Sequence, residues 1–327
     1  MNELALAAFA AANDAHAVDG DTRSQRYARF AEAFDETAYL AQLASRGVRW
    51  IGRSDGDFPP LLRAIHDPPP GLFLRGVASP ALLAQTAVAL VGARACSDYG
   101  AHVARTFADG LARAGVVVVS GLARGVDAWA HRGALDGGGT TIAVLGCGID
   151  RDYPRAHAAL AARIVESGGL VVSEYPPGVA PAPWRFPARN RIVAGLCSAT
   201  VVVEARARSG ALITADLALE EGRDVLAVPG EITSGLSDGT NALLRLGATA
   251  ATCTADVLEA IGVAPRDDDP PALPSAAAAA LGAIESGAST SDEVARVAGL
   301  DSAAAAAALT ELELAGVVHA TAGVYRR

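Results

Sequence analysis

The sequence predicts an α/β protein built on an extended, Rossmann-like parallel sheet, and three observations support this fold class. Six short apolar segments rich in β-branched residues recur between Thr86 and Val228, and stretches of helical period separate them, as in doubly wound sheets. The run from Val116 to Val119 suits a strand that is covered on both faces. Residues 276–327 read as three helices and a terminal hairpin, a pattern that predicts a winged helix.

The predicted elements divide the chain into four parts. Residues 1–80 form a small helical domain, in which apolar positions from Leu4 to about Ser45 recur at helical spacing. Residues 81–262 form the Rossmann-like domain, residues 263–274 an acidic, proline-rich linker, and residues 275–327 the winged-helix domain. The predicted strands of the central domain are residues 88–91, 116–120, 141–145, 170–173, 200–204 and 225–228, and its predicted helices are residues 99–114, 126–135, 155–167 and 211–221.

Composition excludes several classes of protein. All 27 basic residues are arginine, which excludes a Walker A loop and a Schiff-base lysine. The net charge of −9 argues against a generally cationic coat for nucleic acid and leaves room for a local basic site. We find no apolar run of about eighteen residues that would predict a membrane span, and we expect a cytoplasmic protein. The four scattered cysteines are expected to be buried free thiols.

Glycine, arginine and hydroxyl residues recur where the predicted strands end. The second strand runs into Ser120-Gly121-Leu122-Ala123-Arg124-Gly125, where Gly121 and Gly125 allow the backbone to take positive φ and to approach a ligand. The helix that follows would direct its free N–H groups toward an anion. The first strand leads to Arg94 and the fifth to Ser209-Gly210. Because parallel strands end at one edge of a sheet, these turns together predict a phosphate-binding crevice.

The segment that begins at Phe186 carries the most specific pattern. Pro187 suits the first position of a helix, which places Arg189 and Asn190 in its first turn. Arginine there opposes the helix dipole, so a bound phosphate is a favourable partner for it. Phe186 either staples the helix to the core or offers a face on which a base stacks.

A second arginine of this segment raises an assignment problem. Arg189 and Arg191 are two residues apart, so they cannot both face the crevice squarely. One of them is therefore expected to brace the structure through a carboxylate such as Glu204. The sequence leaves open which of the two contacts phosphate.

Known cofactor and catalytic patterns do not fit the strand ends. The first strand is followed by G-A-R rather than by the G-x-G-x-x-G turn of dinucleotide-binding proteins. A G-x-S-x-G nucleophile elbow is also missing from the sequence. Asp127 and His131 are four residues apart, but two ligands do not make a metal site. We therefore expect no cofactor and no metal.

The third predicted helix of the winged-helix domain is poorly charged for reading a DNA groove. It carries Glu311 and Glu313 and no basic residue. We therefore expect this domain to contact protein or to pack within the chain rather than to bind a duplex.

Taken together, these motifs resemble the DNA-processing protein A family, also called DprA or Smf. The resemblance covers nearly the whole chain and is strongest from about Leu72 to Ile261. The motifs that carry it are G-A-R at 92–94, S-G-L-A-R-G-V-D at 120–127, G-C-G-I-D-x-x-Y-P at 146–154, S-E-Y-P-P-G at 173–178, F-P-A-R-N-R-I-V-A-G at 186–195 and S-G-A-L-I-T-A at 209–215.

The resemblance implies a SAM-like N-terminal domain and a non-enzymatic, cytoplasmic protein. Such a protein binds and protects single-stranded DNA, forms a homodimer through the Rossmann-like domain, and loads the RecA recombinase during natural transformation. His157 departs from the family pattern, where asparagine is expected, and Arg185 stands near the position of an expected lysine. The implied DNA-binding residues are Arg94, Gly121, Arg124, Gly125, Phe186, Arg189, Asn190, Arg191, Ser209 and Gly210.

Two rival functions remain at this point. The wider superfamily that this Rossmann domain resembles includes nucleoside-monophosphate phosphoribohydrolases, which use a P-G-G-x-G-T-x-x-E loop. Here Pro229-Gly230-Glu231 lacks the glycines that should follow, and residues 209–212 lack the G-T-x-x-E pattern. The other rival is a structural adaptor with a vestigial site, which would not bind DNA.

Overall fold

The computed structural model describes residues 2–13, 24–264, 274–314, 317–321 and 323–326. The chain forms two compact units, Met1–Arg266 and Asp267–Arg327. The predicted linker falls mostly on residues 265–273, and part of the predicted N-terminal helical region falls on residues 14–23; both stretches lie outside the described residues. Within the described ranges, every helix is too short or too polar to span a lipid bilayer.

The first unit is organised around one mostly parallel sheet, to which the described residues contribute nine strands. Their order across the sheet is β1-β2-β6-β5-β4-β3-β7-β8-β9. Strands β3 to β9 pair in parallel, and β1 and β2 pair antiparallel at one end. The strands are β1 (Val48–Gly52), β2 (Gly71–Arg75), β3 (Ala87–Val91), β4 (Val117–Ser120), β5 (Thr141–Val144), β6 (Leu170–Ser173), β7 (Ala199–Val202), β8 (Asp224–Ala227) and β9 (Thr249–Ala250).

Helices cover both faces of this sheet, as a doubly wound fold requires. Those of the first unit are α1 (Glu3–Ala12), α2 (Gln25–Ala33), α3 (Glu36–Ser45), α4 (Pro60–Arg63), α5 (Asp98–Arg113), α6 (Val126–Asp136), α7 (Ala158–Glu166), α8 (Arg185–Gly195), α9 (Gly210–Glu220), α10 (Asp238–Arg245) and α11 (Thr254–Ala260). The predicted α/β class is confirmed, and the predicted strands and helices lie within a few residues of the observed ones.

The four valines around β4 show how the sheet is buried. Val117 and Val119 belong to the core beneath α8 and α9, whereas Val116 and Val118 belong to the core beneath α5 and α6. Because successive side chains of a strand point to opposite faces, this division requires helices on both sides. The strand covered on both faces is therefore present as predicted.

The expected boundary after residue 80 does not separate two folded bodies. Strand β2 pairs with β6 in the register Phe73↔Ser173, which joins the N-terminal segment to the main sheet. Phe73 and Leu74 are fully buried there. The apolar side chains of β1 and β2 thus complete the same core, and residues 1–266 form one unit.

The second unit contains three helices and a hairpin among its described residues. They are α12 (Ser275–Glu285), α13 (Ser291–Ala298), α14 (Ser302–Leu314), β10 (His319–Thr321) and β11 (Val324–Arg326). Small alanines and a few larger side chains such as Ile284, Leu309 and Leu312 form its core. A reciprocal cap between Thr290 and Glu293 begins α13. The predicted winged-helix pattern is therefore confirmed.

The cysteines differ partly from expectation. All four are free, and Cys147 and Cys197 are buried as expected. Cys96 is half-buried and Cys253 is exposed. Cys147 and Cys197 thus serve as small apolar residues of the core, and Cys96 packs against its edge.

Candidate nucleic-acid interface

The strand order creates a crevice between the ends of β3 and β7. The chain winds from β3 through β6 in one direction and then places β7 on the other side of β3. Loops that follow two such strands diverge, which opens a binding site at the carboxyl edge of the sheet. A pocket of about 460 Å³ occupies this position, and the turns after β3, β4 and β7 all contribute to its lining. The predicted convergence of these turns is therefore present in the structure.

The turn after β4 adopts a backbone conformation that restricts which residues can occupy it. Gly125 has φ = 73°, and a β-carbon on it would collide with the main chain of Ala93 and Arg94. Leu122 also takes a positive φ of 58°, and its side chain is fully buried. Asp127 in the first turn of α6 accepts a hydrogen bond from the Ala123 amide at 3.2 Å. The Asp127 carboxylate therefore stabilises the turn from within, whereas Gly125 lets it pack against the turn after β3, where the Val126 amide donates to the Ala93 carbonyl oxygen at 3.2 Å.

Arg189 lies beneath the turn rather than at its surface. Its side chain is buried and donates hydrogen bonds to the carbonyl oxygens of Gly121 and Val144. Its Nη2 atom is 3.9 Å from Asp127 Oδ2. Arg189 reaches the lining of the pocket, but its guanidinium already ties the β4 turn to the end of β5. The side chain therefore has a structural task at the floor of the site.

The start of α8 differs from the prediction. The helix begins at Arg185, so Pro187 is its third residue rather than its first. Proline is compatible with this position because the N–H groups of the first turn have no partner within a helix. Because the helix starts earlier, Arg189 lies in its second turn, from which its side chain reaches the carbonyl oxygens at the ends of β4 and β5.

Arg191 faces away from the pocket. Its guanidinium donates to both oxygens of Glu174 at 3.0 and 2.7 Å, and Nε donates to Asp67 Oδ2 at 3.0 Å. The expected brace is thus found, but its carboxylates are Glu174 and Asp67 rather than Glu204. Glu204 instead accepts hydrogen bonds from the amide and hydroxyl of Ser97.

The N-terminus of α9 forms the opposite wall of the pocket. Ser209 caps the helix, and its Oγ accepts a hydrogen bond from the Ala211 amide at 3.3 Å. Asn190 Nδ2 donates to the carbonyl oxygen of Gly210 at 3.2 Å, which ties α8 to this helix end. No atom lies within 4 Å of the place where a β-carbon on Gly210 would stand. An anion can therefore approach the first amides of α9 closely.

Exposed arginines surround the mouth of the pocket. Arg94, Arg206 and Arg208 line it, and all three are exposed. Arg94 was among the predicted site residues. Arg206 and Arg208 were not, although the alternation Ala205-Arg206-Ala207-Arg208 directly after the fifth predicted strand signals them. Among the described residues that line this pocket, Asp127 is the one carboxylate. The mouth of the site is therefore cationic in a chain whose net charge is −9.

A second pocket of about 400 Å³ adjoins the first. Arg94, Phe186 and Arg189 line both pockets, whereas Arg124 and Tyr153 line the second alone. The Phe186 ring is stacked on Tyr153, with ring centroids 5.2 Å apart, and the Arg94 guanidinium carbon lies 5.6 Å from the Phe186 centroid. Arg94 and Phe186 therefore stand where the two pockets meet.

The polar groups beneath the site are buried, and burial shifts the pKa values of His131 and Asp127. Thr141 Oγ1 donates to the Val118 carbonyl at 2.6 Å, so it must accept from His131 Nδ1, which lies 2.7 Å away. Burial, together with the nearby charge of Arg189 and the His157 ring, lowers the pKa of His131 to about 3. Burial also raises the pKa of Asp127, which Arg189 partly offsets. No group of three or more His, Cys, Asp or Glu side chains in the described part of the chain could hold a metal ion.

Comparison with known proteins gives a consistent result. Residues 49–262 match the family of DNA recombination-mediator protein A, and residues 264–323 match the DprA winged helix domain. The DNA processing protein DprA of Streptococcus pneumoniae is 49% identical over 204 residues, which are 62% of this chain and 71% of that protein.

Two solved structures are also similar to this chain. The X-ray structure of DNA processing protein A from Streptococcus pneumoniae aligns with a TM-score of 0.65 and 41% identity over 78% of this chain and 91% of that one. The structure of DNA processing protein A from Helicobacter pylori, which concerns a single-stranded DNA binding mode, aligns with a TM-score of 0.58 and 30% identity. That alignment covers 65% of this chain and 94% of the other.

Proposed function

Because this chain belongs to the DprA/Smf family of DNA recombination-mediator proteins, we propose that it binds single-stranded DNA at the crevice between β3 and β7. The observation that carries the proposal is the set of three exposed arginines, Arg94, Arg206 and Arg208, around a pocket that ends at the N-terminus of α9. Guanidinium groups and helix amides bind phosphate oxygens. The single-stranded DNA binding mode of the Helicobacter pylori relative supports the same ligand.

A single strand fits this site better than a duplex does. A pocket of about 460 Å³ can admit one nucleotide with its base turned inward, whereas the bases of a duplex are stacked inside the double helix. Phe186 and Tyr153 add aromatic surface beside the arginines, and aromatic platforms with a basic groove are typical of proteins that bind single strands without sequence preference. The site therefore favours an unpaired strand of any sequence.

The enzymatic alternative finds little support in the pocket. A phosphoribohydrolase needs a carboxylate positioned at the glycosidic bond, and Asp127 is the one carboxylate among the described lining residues. Asp127 is 7% exposed and accepts a hydrogen bond from the turn, so it is occupied in holding the structure. We therefore propose a binding protein rather than an enzyme. Incubation with nucleoside monophosphates and analysis for released base tests this directly, and release of base would contradict it.

We further propose a homodimer that forms through the Rossmann-like domain. Ile232 is 93% exposed and Leu246 is 85% exposed, and both lie in the segment between β8 and the edge strand β9. Both side chains are available for burial against a second protein surface. Replacing both residues by serine should convert a dimer into a monomer, as measured by light scattering coupled to gel filtration. A wild-type chain that is monomeric at micromolar concentration would overturn the proposal.

The cellular role that we propose is protection of incoming DNA and loading of the RecA recombinase in natural transformation. Family membership supports this role. The biochemical test is RecA filament assembly on a strand covered by a single-strand binding protein, with and without this chain. Faster assembly is expected with the wild type, and no change would contradict RecA loading.

The first experiment is a titration of the wild-type protein with a fluorescent oligothymidylate and with a duplex of the same length at one salt concentration. The proposal predicts tighter binding of the single strand. Equal affinity for both ligands, or tighter binding of the duplex, would overturn it.

A further inference from the structure

From the geometry of the second pocket we infer a second nucleotide subsite, in which the Tyr153 ring carries a base of the bound strand. This inference rests on the proposed binding of single-stranded DNA and extends it to Tyr153, which is not among the DNA-binding residues that the resemblance implies. The subsite is the pocket of about 400 Å³ lined by Arg94, Arg124, Tyr153 and Phe186, among others.

The charge of this pocket suits a phosphate. Arg94, Arg124 and Arg189 line it, and no carboxylate is found among its described lining residues. Arg94 and Arg124 are exposed, so their guanidinium groups are accessible to a backbone that passes over the rim. Because Arg94 lines both pockets, one strand can leave the first pocket and enter the second without leaving the cationic surface.

Tyr153 is a better platform for a base than Phe186. Tyr153 exposes 44% of its surface, whereas Phe186 is half-buried and already contacts Tyr153 and Arg94. A β-carbon on Gly146 would also stand 3.0 Å from the Phe186 ring, so the ring packs against that main chain. Phe186 therefore supports Tyr153 from within, and the exposed ring is left for a ligand.

The segment that carries Tyr153 is anchored on both sides. Asp152 forms an ion pair with Arg75 of β2 at 2.5 Å. His157 donates from Nδ1 to the carbonyl oxygen of Leu122 at 2.9 Å. The second bond joins the segment to the turn after β4, which lines both pockets. The ring is thus positioned before a ligand arrives, which lowers the entropic cost of stacking.

The test compares two ligands and three variants of the full chain. The ligands are an oligothymidylate and an abasic strand of the same length, which retains the phosphates but lacks bases. The variants are Tyr153→Leu, which removes the aromatic ring, Tyr153→Phe, which keeps it, and Tyr99→Leu. Tyr99 is a matched control because it is 51% exposed and lines neither pocket. Thermal unfolding of each variant shows that it is folded.

We expect Tyr153→Leu to weaken binding of the oligothymidylate at least about fivefold, since a stacked base is worth at least about 1 kcal/mol. Its affinity for the abasic strand should equal that of the wild type. Tyr153→Phe and Tyr99→Leu should bind both ligands as the wild type does. Equal losses on both ligands, or no loss on either, would overturn the inference while leaving the proposed function intact. Failure of the wild type to bind the oligothymidylate would overturn both.

Discussion

The guanidinium of Arg189 packs against the main chain of Gly121 and donates a hydrogen bond to its carbonyl oxygen. A β-carbon on Gly121 would stand in the space that the Arg189 Nη2 atom occupies. Gly121 does not take the positive φ that the sequence allowed for it, so the glycine is required by its neighbour rather than by the conformation of the turn. This contact links the floor of the pocket to the turn that forms its wall.

The first prediction follows from this contact. Gly121→Ala should lower the free energy of unfolding by about 1–3 kcal/mol, the usual cost of overpacking a close contact. It should also weaken DNA binding, because the displaced guanidinium releases the turn. Gly56→Ala is the control, since no atom lies within 4 Å of its added carbon and its φ is ordinary. Chemical denaturation that gives both variants the same stability would contradict the prediction.

The second prediction concerns Arg191. Arg191→Met leaves Glu174 buried without its main charged partner, and breaking such a pair costs about 3–5 kcal/mol of stability. The double variant Arg191→Met with Glu174→Gln should recover part of that loss. The salt dependence of DNA binding should not change. Suppose instead that the Arg191→Met variant is as stable as the wild type and that its DNA binding depends less on salt. Arg191 would then contact phosphate, and its ion pair with Glu174 would contribute little to stability.

The two arginines show what the sequence could and could not predict. The α/β class followed from apolar segments and helical stretches, because burial on both faces of a sheet leaves a pattern in every strand. Arg94, Ser209 and Gly210 were predictable because strand ends meet at one edge. The direction of Arg189 and the partner of Arg191 depend on where α8 begins and which carboxylates fold beside it. Those are tertiary contacts that spacing along the chain does not encode.

Other differences between the sequence-based expectations and the structure have similar causes. Arg206 and Arg208 were visible in the sequence, yet only the strand order places their loop opposite Arg94. The sequence also did not indicate that β1 pairs with β2 and that β2 pairs antiparallel with β6, which joins residues before 80 to a sheet whose pattern begins later in the chain. The unexpected His157 contributes a hydrogen bond to Leu122, which the motif alone did not indicate.

The third prediction concerns pH. Burial lowers the pKa of His131 from 6.5 to about 3, so the folded state binds its proton more weakly than the unfolded state does. The contribution of neutral His131 to the free energy of unfolding is therefore fully present above pH 6.5 and decreases as the pH falls toward 3. Within this range the free energy of unfolding should fall by about 1.4 kcal/mol per pH unit. His131→Asn can still donate to Thr141 but cannot become charged, so its stability should fall less steeply. Parallel pH profiles of the two proteins would contradict this account.

The fourth prediction concerns the winged-helix domain. Helix α14 carries two glutamates and no basic residue, so a groove-reading role is disfavoured. Deleting the chain from Pro270 onward should leave single-strand affinity within roughly threefold, a change of under about 0.7 kcal/mol. The truncated protein should be compared with the full chain in the same titration. A loss of more than about tenfold would show that this domain contributes to the DNA site.

The most direct test of the account is the salt dependence of single-strand binding by the triple variant Arg94→Ala, Arg206→Ala, Arg208→Ala. Each lost phosphate contact should reduce the slope of log K against log salt by about 0.7, so the triple variant should lose about 2 from the wild-type slope. Arg105→Ala is the control, because Arg105 is exposed but lines neither pocket, and it should keep the wild-type slope. The account predicts a lower slope with an unchanged melting temperature for the triple variant. A triple variant whose slope equals that of the wild type would contradict the claim that this pocket binds the strand.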